Sequence, residues 1–263
     1  MKSSIWVALV AFVFACVIIG CGGGGGGSSS GGGNGGGGGN APLAGQYLEF
    51  IGISRSGDLD PFTLVVGDDI QVVVANYDSA GNRTVLPANG WTANPTSSRF
   101  SLSTGGRLKI LSGPIGIFNI SANTKVGGLT KNINQDCSVP APSSTTVSGK
   151  VLQESSTKGI KYVQVNFYDG SGGLIAAART GDNGVYKGVV PSNTKSVSIK
   201  KATVPAPPFY RSFIYNKKTY TMDSSTCPLK LTTLKVGQDN PLAAMSIYLQ
   251  VNGPPPPPDG CKP

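Results

Sequence analysis

The residues of this chain that could do chemistry are few, and they limit the reactions it can carry out. The 263-residue sequence contains no histidine, which is the commonest general base and the commonest zinc ligand. No serine or cysteine has a credible basic partner of the kind that a nucleophilic enzyme needs. We therefore expect a protein that is not an enzyme, with no catalytic residue, no cofactor and no metal site.

Cys21 is the reactive side chain with the most informative position. It closely follows an apolar run from Ile5 to Ile19, which Lys2 precedes and a glycine tract follows. A bilayer span takes about 20 apolar residues, so this shorter run predicts a signal peptide over residues 1–20.

The segment Ile18-Ile19-Gly20-Cys21 resembles the lipobox of bacterial lipoproteins. The resemblance implies that Cys21 is acylated, with palmitate among the expected chains, and begins the mature protein. The expected location is the cell envelope, with the membrane as a partner through the lipid anchor. The residue after Cys21 is Gly22 rather than an aspartate. In the lipoprotein family this implies that the protein resides in the outer membrane, if the organism is Gram-negative. The alternative is an ordinary cleaved signal in which the cysteine is incidental.

The segment after Cys21 predicts a tether. Residues 22–40 are all Gly, Ser or Asn, so they bury no apolar surface that could offset chain entropy. We expect residues 21–43 to form a lipidated, disordered spacer.

The rest of the composition favours strands. Charged residues make up 13% of the chain, and its 38 glycines and 19 prolines are far more than helices tolerate. Short alternating apolar stretches with turn residues between them recur throughout. We predict an all-β fold: two immunoglobulin-like β-sandwich domains in tandem after the disordered Gly-rich tether. The expected domains are 44–138 and 146–252, joined by a Pro-rich linker over 139–145 and followed by a Pro-rich tail over 253–263.

The first predicted domain shows alternating apolar positions on three strands, namely Leu48 and Phe50, then Ile70, Val72 and Val74, then Phe118, Ile120 and Ala122. Its motifs run in the order Leu64-Val65-Val66-Gly67-Asp68, Tyr77-Asp78, Trp91, Gly105-Gly106-Arg107-Leu108 and Gly116. This series resembles bacterial immunoglobulin-like domains of group 2. The resemblance implies a sandwich with Trp91 in its core, a surface or adhesin setting, and no catalytic residues.

The second predicted domain opens with Val147-Ser148-Gly149-Lys150-Val151 and reaches Thr180-Gly181-Asp182-Asn183-Gly184-Val185-Tyr186. The Asp-Asn-Gly run between strand-like residues predicts a β-hairpin. Together these pieces resemble the carboxypeptidase regulatory-like domain, a prealbumin-type β-sandwich. That family has no active site of its own, so the resemblance implies none here.

The two predicted domains differ in net charge. Residues 44–137 hold seven basic and seven acidic side chains, whereas residues 145–252 hold thirteen and five, a net charge of +8. The candidate ligand-binding residues lie in a stretch without any acidic side chain: Lys200, Lys201, Arg211, Tyr215, Lys217 and Lys218.

Two interpretations of this basic stretch remain open. Lysines and exposed aromatics could bind an anionic envelope polysaccharide, and another surface protein is a further possible partner. Alternatively, the aromatics alternate into the core and the lysines are a solvated face. Nucleic acid is excluded as a partner because the protein is expected to be exported and carries no nucleic-acid-binding motif.

Three further functions that involve the acidic residues remain open. Asp58, Asp60, Asp68 and Asp69 could gather round a calcium ion. The second domain also combines Lys150 and Glu154 with asparagines near its end. This combination is similar to the Lys–Asn pair that forms an internal isopeptide bond in pilin domains. A surface enzyme that cleaves glycans would need two carboxylates facing each other about 5–9 Å apart across a groove.

Three cysteines remain once Cys16 leaves with the signal and Cys21 is acylated. Export favours disulfides, but three thiols leave one unpaired. The prolines from Pro254 to Pro258 could carry Cys261 back along the second domain. We predict a disulfide between Cys227 and Cys261, with Cys137 free.

Overall fold

The computed structural model describes residues 44–143, 145–204, 208–223 and 228–260. The predicted signal peptide, the whole predicted tether with Cys21, and both Cys227 and Cys261 lie outside the described residues. The described part of the chain contains no α-helix. No helix within it is long and apolar enough to span a membrane.

The first sandwich is built from eight strands: β1 (Gly45–Gly52), β2 (Asp69–Tyr77), β3 (Arg83–Leu86), β4 (Ala88–Asn94), β5 (Phe100–Leu102), β6 (Arg107–Ile110), β7 (Ile115–Val126) and β8 (Leu129–Val139). One sheet has the order β1-β2-β6-β5, with β3 also paired to β2, and the other has the order β4-β7-β8. The predicted core positions are confirmed, since Phe50, Ile70 and Ile120 are each fully buried between the sheets. On β1 the alternation is interrupted, because Glu49 between Leu48 and Phe50 is buried as well.

Two of the motif residues on which the first family resemblance rests, Trp91 and Gly106, lie against each other in this sandwich. Trp91 on β4 is partly buried and packs against the core. Gly106 lies beneath it with a φ of +79°, and a Cβ atom there would come within 2.8 Å of the indole ring. Glycine is needed at this turn both for its backbone conformation and for the close approach of the ring.

The second sandwich is built from ten strands: β9 (Thr146–Gln153), β10 (Gln164–Tyr168), β11 (Leu174–Arg179), β12 (Val185–Val189), β13 (Ser196–Ile199), β14 (Phe209–Tyr215), β15 (Lys218–Thr221), β16 (Leu229–Lys230), β17 (Asp239–Pro241) and β18 (Met245–Leu249). Three short 3-10 turns accompany them, at Asp182–Gly184, Lys201–Thr203 and Gln250–Asn252. One sheet has the order β11-β10-β13-β16. The other has the order β12-β9-β18-β14-β15, with β17 also paired to β9.

The all-β fold with two sandwiches in tandem is therefore confirmed. The hairpin predicted at Asp182-Asn183-Gly184 is wrong. The strand before this turn, β11, pairs with β10, while the strand after it, β12, pairs with β9 in the other sheet. Asn183 and Gly184 have φ values of +56° and +70°, as a tight turn requires, but this turn carries the chain from one sheet to the other.

Candidate functional site

The two sandwiches meet at a buried polar cluster, which we call the arginine joint: Glu49, Asp58, Tyr162 and Arg179. Arg179 ends β11 of the second sandwich, and only 6% of its surface is exposed. Its Nη1 donates to the Leu48 carbonyl at 2.9 Å, and its Nη2 donates to the Leu59 carbonyl at 3.2 Å. A guanidinium from one sandwich thus satisfies two main-chain carbonyls of the other.

Tyr162 is the second member of the joint and lies just before β10. Its ring centroid is 4.4 Å from the Arg179 guanidinium carbon, a cation–π contact. Its hydroxyl lies 2.8 Å from Asp58 Oδ2 and 3.1 Å from Glu49 Oε1. Burial and then the charge of Asp58 raise the pKa of Tyr162 far above its ordinary value, so the hydroxyl stays protonated and donates.

Tyr162 holds this position with a strained backbone. Its φ of +66° is in the left-handed region, which costs a non-glycine residue about 1–3 kcal/mol. The ring also contacts Tyr47 and Tyr77, with centroid distances of 5.2 Å and 6.4 Å. These aromatic contacts and the carboxylate hydrogen bonds hold the residue in its unfavourable conformation.

Glu49 is the acidic centre of the joint and is only 2% exposed. The Arg83 guanidinium forms an ion pair with it at 2.6 Å, and the Tyr77 hydroxyl donates to it at 2.6 Å. Burial opposes ionisation, but the hydrogen bonds from Arg83, Tyr77 and Tyr162 outweigh burial and hold the pKa of Glu49 below its ordinary value. Glu49 is therefore a buried carboxylate with a full set of donors.

A second cross-link forms beside the arginine joint at Asp136 on β8. Its carboxylate accepts from Lys200 Nζ at 2.6 Å and from Gln164 Nε2 at 2.9 Å, both from the second sandwich. Asn119 donates to it from within the first sandwich. Burial alone would raise the pKa of Asp136. The hydrogen bonds from these donors, chiefly Gln164 and Lys200, outweigh that effect and lower the pKa. The ammonium of Lys200 is therefore committed to the contact between the sandwiches.

The joint brings two carboxylates together, yet its geometry does not suit paired-carboxylate catalysis. Such catalysis needs one protonated acid and open space for a sugar and a water molecule. Here the Tyr162 hydroxyl lies between Glu49 and Asp58, and each carboxylate faces an arginine. Since the pKa of Glu49 is lowered, it cannot serve as the protonated acid near neutral pH.

The remaining candidate basic residues lie on the second sandwich and are not members of the joint. Lys201, Lys217 and Lys218 are exposed, the first in a 3-10 turn and the others at the β14–β15 turn. Arg211 on β14 donates from its Nη1 to the carbonyls of Lys201 and Val204, so it ties the first of these turns to the sheet.

The aromatic residues of the basic stretch face mostly inward. Phe209, Phe213 and Tyr220 are buried in the second core, and Tyr215 is partly buried against it. They alternate into the core, as the second of the two interpretations expects. Exposed lysines therefore make up most of the accessible part of this stretch, and Tyr210 and Tyr215 are its partly exposed aromatic residues.

The aspartates considered for calcium do not converge. Asp68 forms an ion pair with Arg55, and Asp69 forms one with Arg107, each at 2.6 Å. Asp60 accepts from the Phe62 amide at 3.0 Å in a local turn. Among the residues that the structure describes, no three His, Cys, Asp or Glu side chains form a metal-binding group.

Lys150 lies on β9 and Glu154 directly follows this strand, and the two residues are not arranged for an isopeptide bond. Lys150 is exposed. Glu154 accepts from the Leu249 amide at 3.0 Å and from Asn252 Nδ2 at 3.1 Å, so it binds the end of β18 to the opening strand.

Cys137 is fully buried in the first core. Burial raises the pKa of its thiol well above the ordinary value, which keeps the sulfur protonated and unreactive.

Sequence reasoning missed one further surface, the outer face of the β4-β7-β8 sheet. We call it the amide–hydroxyl face, and its central members are Thr92, Asn119, Ser121, Asn123, Asn132 and Asn134. The signal was present in the sequence, because these polar residues of β7 alternate with Phe118, Ile120 and Ala122, whose burial was predicted.

The chain matches no protein-family model and no curated protein. Among solved structures it is similar to the major pilin subunit BcpA of Bacillus cereus, at 9% identity over 76% of this chain and 70% of that one, with a TM-score of 0.26. It is similar to the T6 backbone pilin of serotype M6 Streptococcus pyogenes, at 8% identity over 79% and 70%, with a TM-score of 0.24. The TIE protein of Bacillus anthracis matches at 13% identity over 77% and 40%, with a TM-score of 0.25.

Two of these three structures are pilin subunits. Since the TM-scores are low, we base the function on the contacts of this chain itself. The comparisons do not confirm the resemblances to group 2 bacterial immunoglobulin-like domains and to carboxypeptidase regulatory-like domains.

Proposed function

We propose that this chain is a non-catalytic, lipid-anchored protein of the cell envelope. Its two sandwiches act as a rigid spacer that presents a basic surface to an anionic polysaccharide. The observation that carries the spacer role is the arginine joint. Its charged side chains cross-link the two sandwiches. These contacts, rather than the linker, therefore fix the relative orientation of the two sandwiches.

Scattering from the full chain and an Arg179→Ala variant tests the spacer role. We expect the wild type to fit one fixed arrangement of the two sandwiches. The variant leaves the Leu48 and Leu59 carbonyls and Asp58 without their shared donor, so its maximum dimension and flexibility should rise. Arg99→Ala, at an exposed residue within the first sandwich, is the matched control. Identical scattering from wild type and Arg179→Ala would remove the basis for a rigid spacer.

The ligand-binding role rests on the exposed lysines of the second sandwich. Lys201, Lys217 and Lys218 add positive charge to a domain whose net charge is +8. Exposed charges act over about 8 Å at physiological ionic strength, so binding should weaken as salt rises. Lys200 is left out of this surface because its charge is paired with Asp136.

Retention on an immobilised anionic polysaccharide such as polygalacturonate tests this role. The full chain should bind at low salt and elute as salt rises. Charge reversal of Lys201, Lys217 and Lys218 to Glu should abolish retention. Reversal of Arg99, Lys125 and Lys131 on the first sandwich makes the same charge change and should leave most retention in place. Equal losses in the two triple variants would show that only net charge matters.

The lipid anchor is proposed on the sequence around Cys21. A Cys21→Ala variant should remain unprocessed in the membrane fraction, because the acylated residue also marks the cleavage point. If that variant matures and stays attached as the wild type does, the anchor assignment fails.

We propose the Cys227–Cys261 disulfide on the position of the C-terminal tail. Asp259 Oδ1 accepts from the Thr219 amide at 2.6 Å, and the Gly260 amide donates to the Thr219 carbonyl at 2.9 Å. The residue before Cys261 therefore lies against the second sandwich. Non-reducing peptide mapping should find Cys227 linked to Cys261, and a peptide linking Cys137 to either would refute the pairing.

A further inference from the structure

The amide–hydroxyl face is a regular array on three neighbouring strands. Ser121 on β7 lies between Thr92 on β4 and Asn134 on β8, and Asn123 lies opposite Asn132 in the next row. Neighbouring strands are about 4.8 Å apart, and same-face residues along a strand are about 7 Å apart. Donors and acceptors are therefore presented at regular intervals in two directions.

Hydrogen bonds across the strands hold these side chains in place. The hydroxyls of Thr92 and Ser121 are 2.7 Å apart, and Asn132 Nδ2 donates to Asn123 Oδ1 at 3.0 Å. Each amide still has further donor and acceptor capacity. A ligand that binds here would meet side chains that are already ordered, which lowers the entropy cost of binding.

The central members of the face are uncharged, unlike the neighbouring sheet of the same sandwich. On that sheet Asp69 forms ion pairs with Arg107 at 2.6 Å and with Lys109 at 3.6 Å. At one end of the amide–hydroxyl face the charge of Asp136 is matched by Lys200. A charged ligand would therefore find little electrostatic attraction at the centre of this face.

A concave site adjoins the other end of the face. It is a cavity of about 280 Å³ whose one charged lining residue is Lys125, an exposed residue of β7, and whose other lining residues are Pro87, Ala88, Asn89, Asn123, Thr124 and Thr130. Gly90 keeps this region open, since its φ is +60° and a Cβ atom there would come within 2.9 Å of Asn123 Nδ2. The cavity places apolar atoms of Pro87 and Ala88 beside two amide side chains.

We propose that the amide–hydroxyl face and its adjoining cavity bind a neutral polyhydroxylated polymer, that is, an uncharged polysaccharide. Sugar hydroxyls both donate and accept, as do the hydroxyl and amide side chains of the face. The C–H surface of a sugar ring suits the apolar cavity wall. This site is on the first sandwich and is separate from the basic surface of the second.

Affinity electrophoresis of the full chain tests the proposal. Native gels containing dextran, hydroxyethylcellulose or galactomannan are compared with plain gels and with gels containing polygalacturonate. We expect retardation in at least one neutral polymer, and we expect it to persist at high salt because an uncharged polymer forms no ion pair with the protein, Lys125 included. Ser121→Arg, which places a long cation at the centre of the face, should weaken retardation by about tenfold or more, a loss of about 1.4 kcal/mol.

Two further variants make the result specific. Asn134→Ala, at an exposed member of the face on edge strand β8, should weaken retardation severalfold without placing a new charge on the sheet. Thr84→Arg adds the same cation to exposed strand β3 of the other sheet and should bind as the wild type does. The charge-reversed Lys201, Lys217 and Lys218 variant should also keep neutral-polymer binding, which separates this site from the proposed anionic one.

Several results would overturn the proposal. These are an absence of retardation in all three neutral gels, retardation confined to polygalacturonate, and equal retardation of wild type and Ser121→Arg. Sedimentation that shows self-association of the wild type, lost in Ser121→Arg, would assign the face to a second copy of this chain instead.

Discussion

At the scale of single residues, two buried tyrosines of the second sandwich show how differently a hydroxyl can be accommodated. The hydroxyl of Tyr248 lies 2.8 Å from the Thr219 hydroxyl, with which it shares a hydrogen bond. The hydroxyl of Tyr186 has no hydrogen-bond partner among the described residues, although the side chain is almost wholly buried. A buried hydroxyl without a partner costs about 1–3 kcal/mol.

Removal of these hydroxyls should therefore have opposite effects. Tyr186→Phe should leave the free energy of unfolding unchanged or raise it by about 1 kcal/mol, since no bond is lost. Tyr248→Phe should lower it by about 1 kcal/mol, since Thr219 loses its partner. Urea denaturation of both variants measures the difference, and destabilisation by Tyr186→Phe would reveal an unseen partner for that hydroxyl.

At the scale of elements, the C-terminal tail protects the edge of the sheet at β15. Asp259 and Gly260 bond to the main chain of Thr219, which lies on β15. Gly260 also packs closely on Tyr220, since a Cβ atom there would lie 2.4 Å from the ring. An unprotected edge strand invites pairing with other chains, so the tail covers a potential aggregation site.

Gly260→Val should detach this tail. The added side chain cannot fit against Tyr220, so the Thr219 amide should lose its bond to Asp259 and exchange its hydrogen faster. Hydrogen exchange of the Thr219 amide measures the effect, with Pro256→Ala, at an exposed position of the same tail, as the control. Equal exchange rates in the two variants would mean that the tail does not protect β15.

Strand identity could be predicted from the sequence because it depends on local alternation. Phe118, Ile120 and Ala122 needed only their spacing to be assigned to the core. The turn at Asp182-Asn183-Gly184 was correctly recognised as a turn, but its neighbouring strands pair in different sheets. Turn residues report local backbone conformation, whereas the pairing of strands depends on contacts distant in sequence.

The arginine joint could not be predicted for the same reason. Arg179 and Leu48 are 131 residues apart in the chain, and no sequence pattern around either residue indicates that they are in contact. The amide–hydroxyl face was within reach, because Asn119, Ser121 and Asn123 occupy the polar half of a recognised strand. The apolar half of the pattern is sufficient to assign the strand, whereas the polar half indicates the outer face of the sheet only once the neighbouring strands are known.

At the scale of the whole molecule, the contact between the sandwiches depends on ionised carboxylates. The pKa values of Glu49 and Asp136 are lowered, because the donors around each carboxylate outweigh burial. A lowered pKa in the folded state stabilises the protein above the ordinary pKa of about 4, and this stabilisation is lost as pH falls through the folded-state value. Acid should therefore weaken the contact between the two sandwiches.

We expect the free energy of unfolding to fall as pH drops below about 4. The double variant Glu49→Gln, Asp136→Asn should be less stable than the wild type at neutral pH, yet lose less stability in acid. Urea midpoints measured across the acid range give both curves. Parallel curves for wild type and variant would show that other groups control the acid response.

The arginine joint also determines how the molecule would carry a mechanical load. A pull at Gly45 enters β1, and only three residues later Arg179 binds the Leu48 carbonyl at 2.9 Å. Tyr162 binds the next residue, Glu49. The pairing of β1 with β2 begins at Gly45 itself, so tension is shared between the β1–β2 ladder and the contacts to the second sandwich. The joint therefore acts as a parallel mechanical support, which transfers part of the load on β1 to the second sandwich.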